Sequence, residues 1–196
     1  MTDVNKSTNR QGRLFVISGP SGVGKGTIIN RILPQFPDMV LSVSATTRLP
    51  REREKHGVHY FFVTKEQFNE MIDKDGFLEY DGHFDNFYGT PKQFVFDNLN
   101  QGKDVLLEID VNGALKVKNN FSDAVLIFIK PLSAQVLFDR LRSRNSESEE
   151  EMANRIARIK EELSKQDQYD YVVINDDLKT AVNEVYQIIK ENQNND

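Results

Sequence analysis

The chain has 196 residues and no cysteine. That absence excludes disulfides, thiolate metal sites and cysteine nucleophiles, and it suits a reducing, cytoplasmic setting. Long apolar runs are also missing. The longest wholly apolar stretch, Ala124–Ile129, is far too short to span a bilayer, so no membrane association is expected. The opening stretch Met1–Arg13 lacks the apolar core of a signal peptide; it and the closing Glu191–Asp196 read as frayed tails. Positive charge is in deficit. The 25 Lys and Arg against 30 Asp and Glu leave a net charge of −5, which argues against general nucleic-acid binding through the phosphate backbone. The three histidines, His56, His59 and His83, have no metal-ligand spacing, and no Ser–His–Asp arrangement is legible. The remainder is ordinary for one soluble globular domain, with 28% charged and 38% hydrophobic residues.

What is present begins with Gly19-Pro20-Ser21-Gly22-Val23-Gly24-Lys25-Gly26-Thr27, directly after the apolar run Leu14–Ser18. A short strand running into a glycine-rich turn that ends in Gly-Lys, with a helix-like segment after it, is an arrangement that cradles phosphates. Glycines let an anion approach the backbone. Successive N–H groups and the helix N-terminus then face it, and Lys25 reaches the outer phosphates. The competing reading is a surface turn with a solvated lysine. The usual loop carries Ser or Thr after the lysine as a Mg²⁺ ligand; here Gly26 holds that place, and either water or Thr27 substitutes.

Apolar runs alternate with amphipathic segments, the pattern of an α/β fold. Leu14–Ser18, Val105–Ile109, Val125–Ile129 and Tyr171–Ile174 fit strands buried on both faces of a parallel sheet. Helices are expected at Lys25–Leu33, Pro91–Leu99 (Thr90 as N-cap, Pro91 as first residue) and Ser133–Arg144. The stripe Leu178, Ala181, Val182, Val185, Ile188 and Ile189 marks a final helix. Residues 45–90, with strand signals at Val58–Val63 and Phe77–Phe84 around a helix at Lys65–Lys74, look like an inserted α+β lobe. Residues 141–168 are highly charged, with Ser148-x-x-Glu151 as a capping box and Met152, Ile156, Ile159 and Leu163 as an apolar seam.

The lobe opens with Ser42-Val43-Ser44-Ala45-Thr46-Thr47-Arg48-Leu49-Pro50-Arg51. Two arginines three apart beside hydroxyls suit a phosphate monoester, because guanidinium bonds phosphate oxygens bidentately. Tyr60 and Tyr88 are candidates to complete the shell. A basic surface loop with Arg–Glu pairs explains the segment equally well. Arg140, Arg142, Arg144, Arg155 and Arg158 form a second group; bringing two phosphates together needs more cations than the Lys25 loop supplies. Glu79 could accept the N1 and N2 hydrogens of guanine, a pair of donors adenine lacks, or could be an exposed strand residue. Asp110, beyond the carboxyl end of a strand, could order magnesium water or the substrate base, or cap the helix that Asn112-Gly113 would open. A phosphate acceptor, with a second pKa of about 6, is already anionic near neutral pH, so transfer to it needs positioning and charge neutralisation rather than a base.

Together these segments resemble the guanylate kinase family of nucleoside monophosphate kinases, from Leu14 to Ile189. The resemblance rests on the 19–27 loop, the 42–51 segment, Asn86-Phe87-Tyr88-Gly89-Thr90, Leu107-Glu108-Ile109-Asp110 and Val172-Val173-Ile174-Asn175-Asp176. It implies an ATP:GMP phosphotransferase with a parallel-sheet core (about 12–44, 91–140 and 169–192), a GMP-binding lobe (45–90) and a helical lid (141–168). By position, Ser44, Arg48, Arg51, Tyr60 and Tyr88 would hold the GMP phosphate, and Glu79 and Thr90 would read guanine with Asp110 close by. Lys25, Arg48, Arg144 and Arg155 would serve catalysis, and Asn175 would lie near adenine. The implied cofactor is Mg²⁺ with ATP, carried mainly by phosphates and water. The implied partners are ATP and GMP, with dGMP as a further acceptor, and the assembly is a monomer or a homodimer. Departures are Gly26 for the frequent Ser, Asp85 for a usual Gly, and Phe87 for the first tyrosine of Asn-Tyr-Tyr-Gly. Two other readings stand beside this one. A scaffold module would tend to lose the loop lysine or the arginines. A kinase for another monophosphate would not need the Glu79 and Tyr88-Gly89-Thr90 context.

Overall fold

A computed structural model describes residues 10–83, 85–142 and 149–194. The protein is a mixed α/β structure built on a parallel sheet in the order β2-β7-β1-β8-β9. These strands are β1 (Leu14–Ser18), β2 (Val40–Leu41), β7 (Val105–Glu108), β8 (Val125–Lys130) and β9 (Tyr171–Ile174). Alternation of side chains across the sheet explains why β1 is apolar throughout. Phe15 and Ile17 pack on one face with Ile28, Ile29 and Ile32 of α1 (Lys25–Ile32) and with Val182, Val185 and Ile189 of α7 (Leu178–Asn194). Leu14 and Val16 pack on the other with Val95 and Leu99 of α3 (Lys92–Asn100) and with Val111, Ala114 and Val117 of α4 (Val111–Asn120). Every residue of β1 is buried, and truncating a large side chain in such a layer costs about 2–5 kcal/mol.

A second sheet, ordered β4-β3-β6-β5, comprises β3 (Ala45–Thr46), β4 (Phe61–Phe62), β5 (Phe77–His83) and β6 (Asn86–Pro91). Its small core centres on Phe68 of α2 (Lys65–Asp73), stacked on Phe77 at 4.4 Å and on Phe87 at 5.5 Å. Thr64 and Gln67 close a capping box at the start of α2. α5 (Ala134–Arg142) and α6 (Glu149–Ser164) follow β8, and Ile159 of α6 reaches the main core.

Several expectations are corrected. Pro91 is not the first residue of α3 but its N-cap, because residues 86–91 are already paired with β5 as a strand. Of the expected strand at Val58–Val63 only Phe61–Phe62 forms a strand, with Tyr60 in an isolated bridge to His56, since Gly57 and its neighbours form a turn instead. Leu33–Gln35 is a 3₁₀ turn around Pro34 rather than the end of α1. The described parts of the expected tails are anchored. The Asp104 carboxylate accepts from Arg10 Nη2 at 2.9 Å, from the Arg13 N–H at 2.8 Å and from Gln193 Nε2 at 2.6 Å. A buried carboxylate recruits donors, and these two polar segments supply them. The expected capping residue Ser148 lies outside the described residues.

Candidate active site

Because the core strands are parallel, their carboxyl ends share one edge, where α/β sheets collect ligands. The turn after β1, the Ile109-Asp110 corner after β7 and Asn175 after β9 all stand there. A cavity of about 730 Å³ opens at this edge and runs under the second sheet, within the size range of small-ligand sites.

The 19–27 loop is held in shape by a few backbone requirements. Gly24 has φ of 102°, and a Cβ there would lie 2.6 Å from Asn175 Nδ2. That amide donates to the Val23 carbonyl at 2.7 Å, so the residue that follows β9 ties the loop. Val23 is buried in the core. Lys25 Nζ turns back on its own loop and donates to the carbonyls of Gly19 at 2.7 Å and Pro20 at 3.3 Å. Desolvation lowers the Lys25 ammonium below its ordinary pKa, opposed by the charges of Glu108, Glu162 and Asp110. Gly19, Ser21 and Gly22 line the cavity with Lys25, whereas Pro20, Gly24, Gly26 and Thr27 are not part of its lining.

Across the cavity, the second sheet contributes Glu79 and Tyr88, and the segments flanking its strands contribute Ser44, Arg51 and Tyr60. Arg48 is one step removed. Its Nη2 bonds both oxygens of Glu54, at 2.9 and 3.0 Å, its Nη1 donates to the Leu49 carbonyl at 2.8 Å, and the guanidinium lies over the Tyr60 ring at 5.5 Å. The hydrogen bonds to Glu54 raise the pKa of Arg48 above its ordinary value. Glu54 also accepts from the Arg51 N–H at 2.8 Å, so one carboxylate fixes both ends of the Arg-x-x-Arg turn.

Glu79 is only 8% exposed, and its Oε1 accepts from Thr90 Oγ1 at 2.7 Å across the β5–β6 ladder. Burial pushes the Glu79 carboxyl up to about 7, with Thr90 opposing and Asp110 reinforcing the shift. Thr90 is fully buried behind it. Asp110 bears out the helix-cap reading and also lies at the cavity. It caps α4 by accepting from the Gly113 N–H at 2.7 Å, and it lines the cavity, with Arg158 Nη2 at 3.8 Å.

From α6, Arg155 Nη2 donates to Ser21 Oγ at 3.3 Å, and Arg158 Nε donates to Glu162 at 2.8 Å. Arg144 lies outside the described residues, as do the side chains of Arg140 and Arg142. Glu108 was not singled out from sequence, yet it lines the cavity. Its oxygens come within 3.6 Å of where a Cβ at Gly26 would stand. Desolvation raises its carboxyl and Lys25 opposes the shift. A lone carboxylate at the exit of an otherwise apolar strand is the signal that could have found it. Ser42 was also passed over; the residue lines the cavity, and its buried hydroxyl has no hydrogen-bond partner among the described residues.

Among the described residues no cluster of His, Cys, Asp and Glu could hold a metal ion by itself. The oxygen of Glu108, beside a loop without the usual hydroxyl, fits a Mg²⁺ that keeps most of its waters and is carried by phosphates. The site therefore gathers one loop, one arginine-bearing turn and one arginine-bearing helix around one cavity.

Similar proteins agree with that geometry. The guanylate kinase family model matches residues 11–192. A guanylate kinase of Caldanaerobacter subterraneus subsp. tengcongensis is 51% identical over 183 residues, covering 93% of this chain and 89% of that protein. One from Syntrophomonas wolfei is 50% identical, covering 92% of this chain and 93% of that protein. The crystal structure of guanylate kinase from Anaplasma phagocytophilum superposes with a TM-score of 0.77 at 33% identity, covering 93% of this chain and 87% of that one. On sequence and fold alike, the chain belongs to the guanylate kinase family.

Proposed function

We propose that the chain transfers the γ-phosphoryl group of MgATP to GMP, giving ADP and GDP, with the residues of the cavity in the following roles. The observation that carries the reading is the opposition, across one cavity, of the Lys25 loop and the buried Glu79–Thr90 pair. One side suits a nucleotide's phosphates, the other a base that presents adjacent N–H donors. Membership of the family and the agreement of its relatives over nearly the whole chain support the same conclusion.

GMP enters under the second sheet. The Glu79 carboxylate accepts the guanine N1 and N2 hydrogens, with Thr90 fixing its orientation and Asp110 beside it. Ser44, Arg48, Arg51, Tyr60 and Tyr88 take the 5′-phosphate. Ionised phosphate draws guanidinium strongly, and Arg48 then shares its donors between the nucleotide and Glu54. ATP lays its phosphates along the loop N–H groups, Lys25 leaves the Gly19 carbonyl for the β- and γ-phosphates, and the adenine lies toward Asn175. Glu108 and Thr27 are the residues that would help hold the Mg²⁺ that accompanies ATP, and the ion would supply further charge neutralisation. Segment 141–168 acts as the lid. Arg155 exchanges its Ser21 contact for the transferring group and Arg144 joins it, so that cations from three stretches offset the repulsion between donor and acceptor. Closing the lid excludes water, which would otherwise accept the phosphoryl group. No described helix is long and apolar enough to cross a membrane, and we take the reaction to be cytoplasmic.

A coupled assay supplying MgATP with GMP, dGMP, AMP, CMP or UMP tests the reading. Turnover with the two guanine nucleotides far above the others is expected. Equal rates with AMP, or no turnover with GMP, would overturn it.

A further inference from the structure

Gly113 stands at the third position of α4, where a glycine is a poor choice for a helix. Its surroundings explain it. A Cβ built on Gly113 would lie 2.7 Å from Glu79 Oε2 and 3.2 Å from both Glu79 Cδ and Asp110 Oδ1. The first distance is one that real Cβ atoms do not reach, and the atom approached is the carboxylate oxygen left over after Oε1 has bonded Thr90. The same Gly113 offers its N–H to Asp110. The two carboxylates that face the proposed guanine site thus converge on one residue without a side chain. α4 also grips the strand carrying Glu79, through Lys116 Nζ to the Tyr80 carbonyl at 2.7 Å. The helix has little freedom to back away and make room.

We propose that Gly113 is a specificity-determining residue for the acceptor base. It is a positioning residue that acts through Glu79, and its missing side chain leaves the carboxylate the only space in which both oxygens face guanine. A methyl group there pushes against the far end of a flexible side chain rather than against backbone, so the fold accommodates it. The base contact does not, because the displaced oxygen no longer meets the N1 and N2 hydrogens together. The inference rests on reading Glu79 as the guanine acceptor.

The test compares Gly113→Ala, Glu79→Ala and the double variant by steady-state kinetics with GMP, IMP and ATP, alongside thermal unfolding. For Gly113→Ala the KM for GMP is expected to rise roughly 10- to 100-fold, the loss of one bidentate base contact. The KM for ATP and kcat should stay within about threefold, a span well below the effect of a lost catalytic group. Preference for GMP over IMP, which lacks the N2 donors, should fall. The Tm should hold or increase, since alanine favours a helix over glycine. In the Glu79→Ala background the same substitution should change the GMP KM little, because two residues acting through one contact are not additive. An unchanged KM for GMP in Gly113→Ala, additive effects in the double variant, or a lowered Tm with both substrates' KM rising together would each overturn the inference. If Glu79→Ala itself leaves GMP binding intact, the failure lies in the reading of Glu79.

Discussion

With Glu79 as the proposed guanine acceptor, binding of GMP becomes a proton-linked event. Only the ionised carboxylate can accept two guanine N–H groups, and in the free protein its carboxyl titrates at about 7. The ionised fraction is then about half at pH 7, about a tenth at pH 6 and about nine-tenths at pH 8. Apparent affinity scales with that fraction, so the Kd for GMP should rise roughly fivefold between pH 7 and pH 6, and about tenfold per unit below that. The GMP phosphate also titrates, with a second pKa near 6, and its contribution must be removed. Glu79→Gln does so: the variant keeps the shape and the phosphate site but has no carboxyl to titrate. Calorimetric titration of both proteins with GMP from pH 5.5 to 8.5 should give a ratio of affinities that grows with pH and levels off above about pH 8. The same shift acts on folding. An unfolded glutamate titrates near 4.3, so the folded state holds this proton more tightly. That stabilisation is complete below about pH 4 and lost as the pH rises through 7, leaving the free protein less stable by on the order of 3 kcal/mol. Glu79→Gln should therefore stabilise the unliganded protein at pH 8 and change it little at pH 4.5. An affinity ratio flat from pH 6 to 8 would refute the argument, because the carboxylate would then be ionised throughout.

Lys25→Met should lower kcat by at least about a hundredfold while the circular dichroism spectrum and Tm stay near those of the parent; near-normal turnover would remove Lys25 from the chemistry. Gly24→Ala places a side chain at φ of 102° and against the Asn175 amide, so a stability loss of about 1–3 kcal/mol and a raised KM for ATP are expected from urea unfolding and kinetics. An unchanged KM for ATP would show that the Asn175 tether is not needed for the loop. Asp104→Ala strips three donors of their acceptor and should cost about 2–3 kcal/mol by urea unfolding. Its kcat should be unaltered, since the site lies at the other edge of the sheet, and a loss under about 0.5 kcal/mol would mean that water replaces the carboxylate.

Four core strands and the closing helix were legible in the sequence because each carries an unbroken signal, although β9, at the edge of the sheet, fully buries only Val173 and is not covered on both faces as expected. β1 and β9 run as expected from Leu14 to Ser18 and from Tyr171 to Ile174, and α7 follows the stripe from Leu178. What was missed lacks a period. β2 and β3 have two residues each and exist through their neighbours: β2 pairs with β7, and β3 pairs with both β4 and β6. β6 contains Gly89 and ends on Pro91, so its local sequence reads as a helix start, and only pairing with β5 makes it a strand. α4 opens Val-Asn-Gly and closes on two asparagines, weak helix formers all; the Asp110 cap and the burial of Val111, Ala114 and Val117 hold it. In the candidate site, residue types at fixed spacing pointed to the loop, the arginine turn and Glu79. Glu108 escaped because the run Val105–Ile109 reads only as a buried strand, and Gly113 because a collision with Glu79 exists only in three dimensions.

The clasp at Asp104 has a practical corollary. Arg10 and Gln193 grip a single carboxylate, so the two ends of the described chain meet there, at the rim remote from the proposed nucleotide site. A circular permutant that splices residue 193 to residue 10 through a short flexible linker, and opens a new break in an exposed turn elsewhere, should keep its catalytic groove, and affinity handles grafted at either extremity should leave turnover alone.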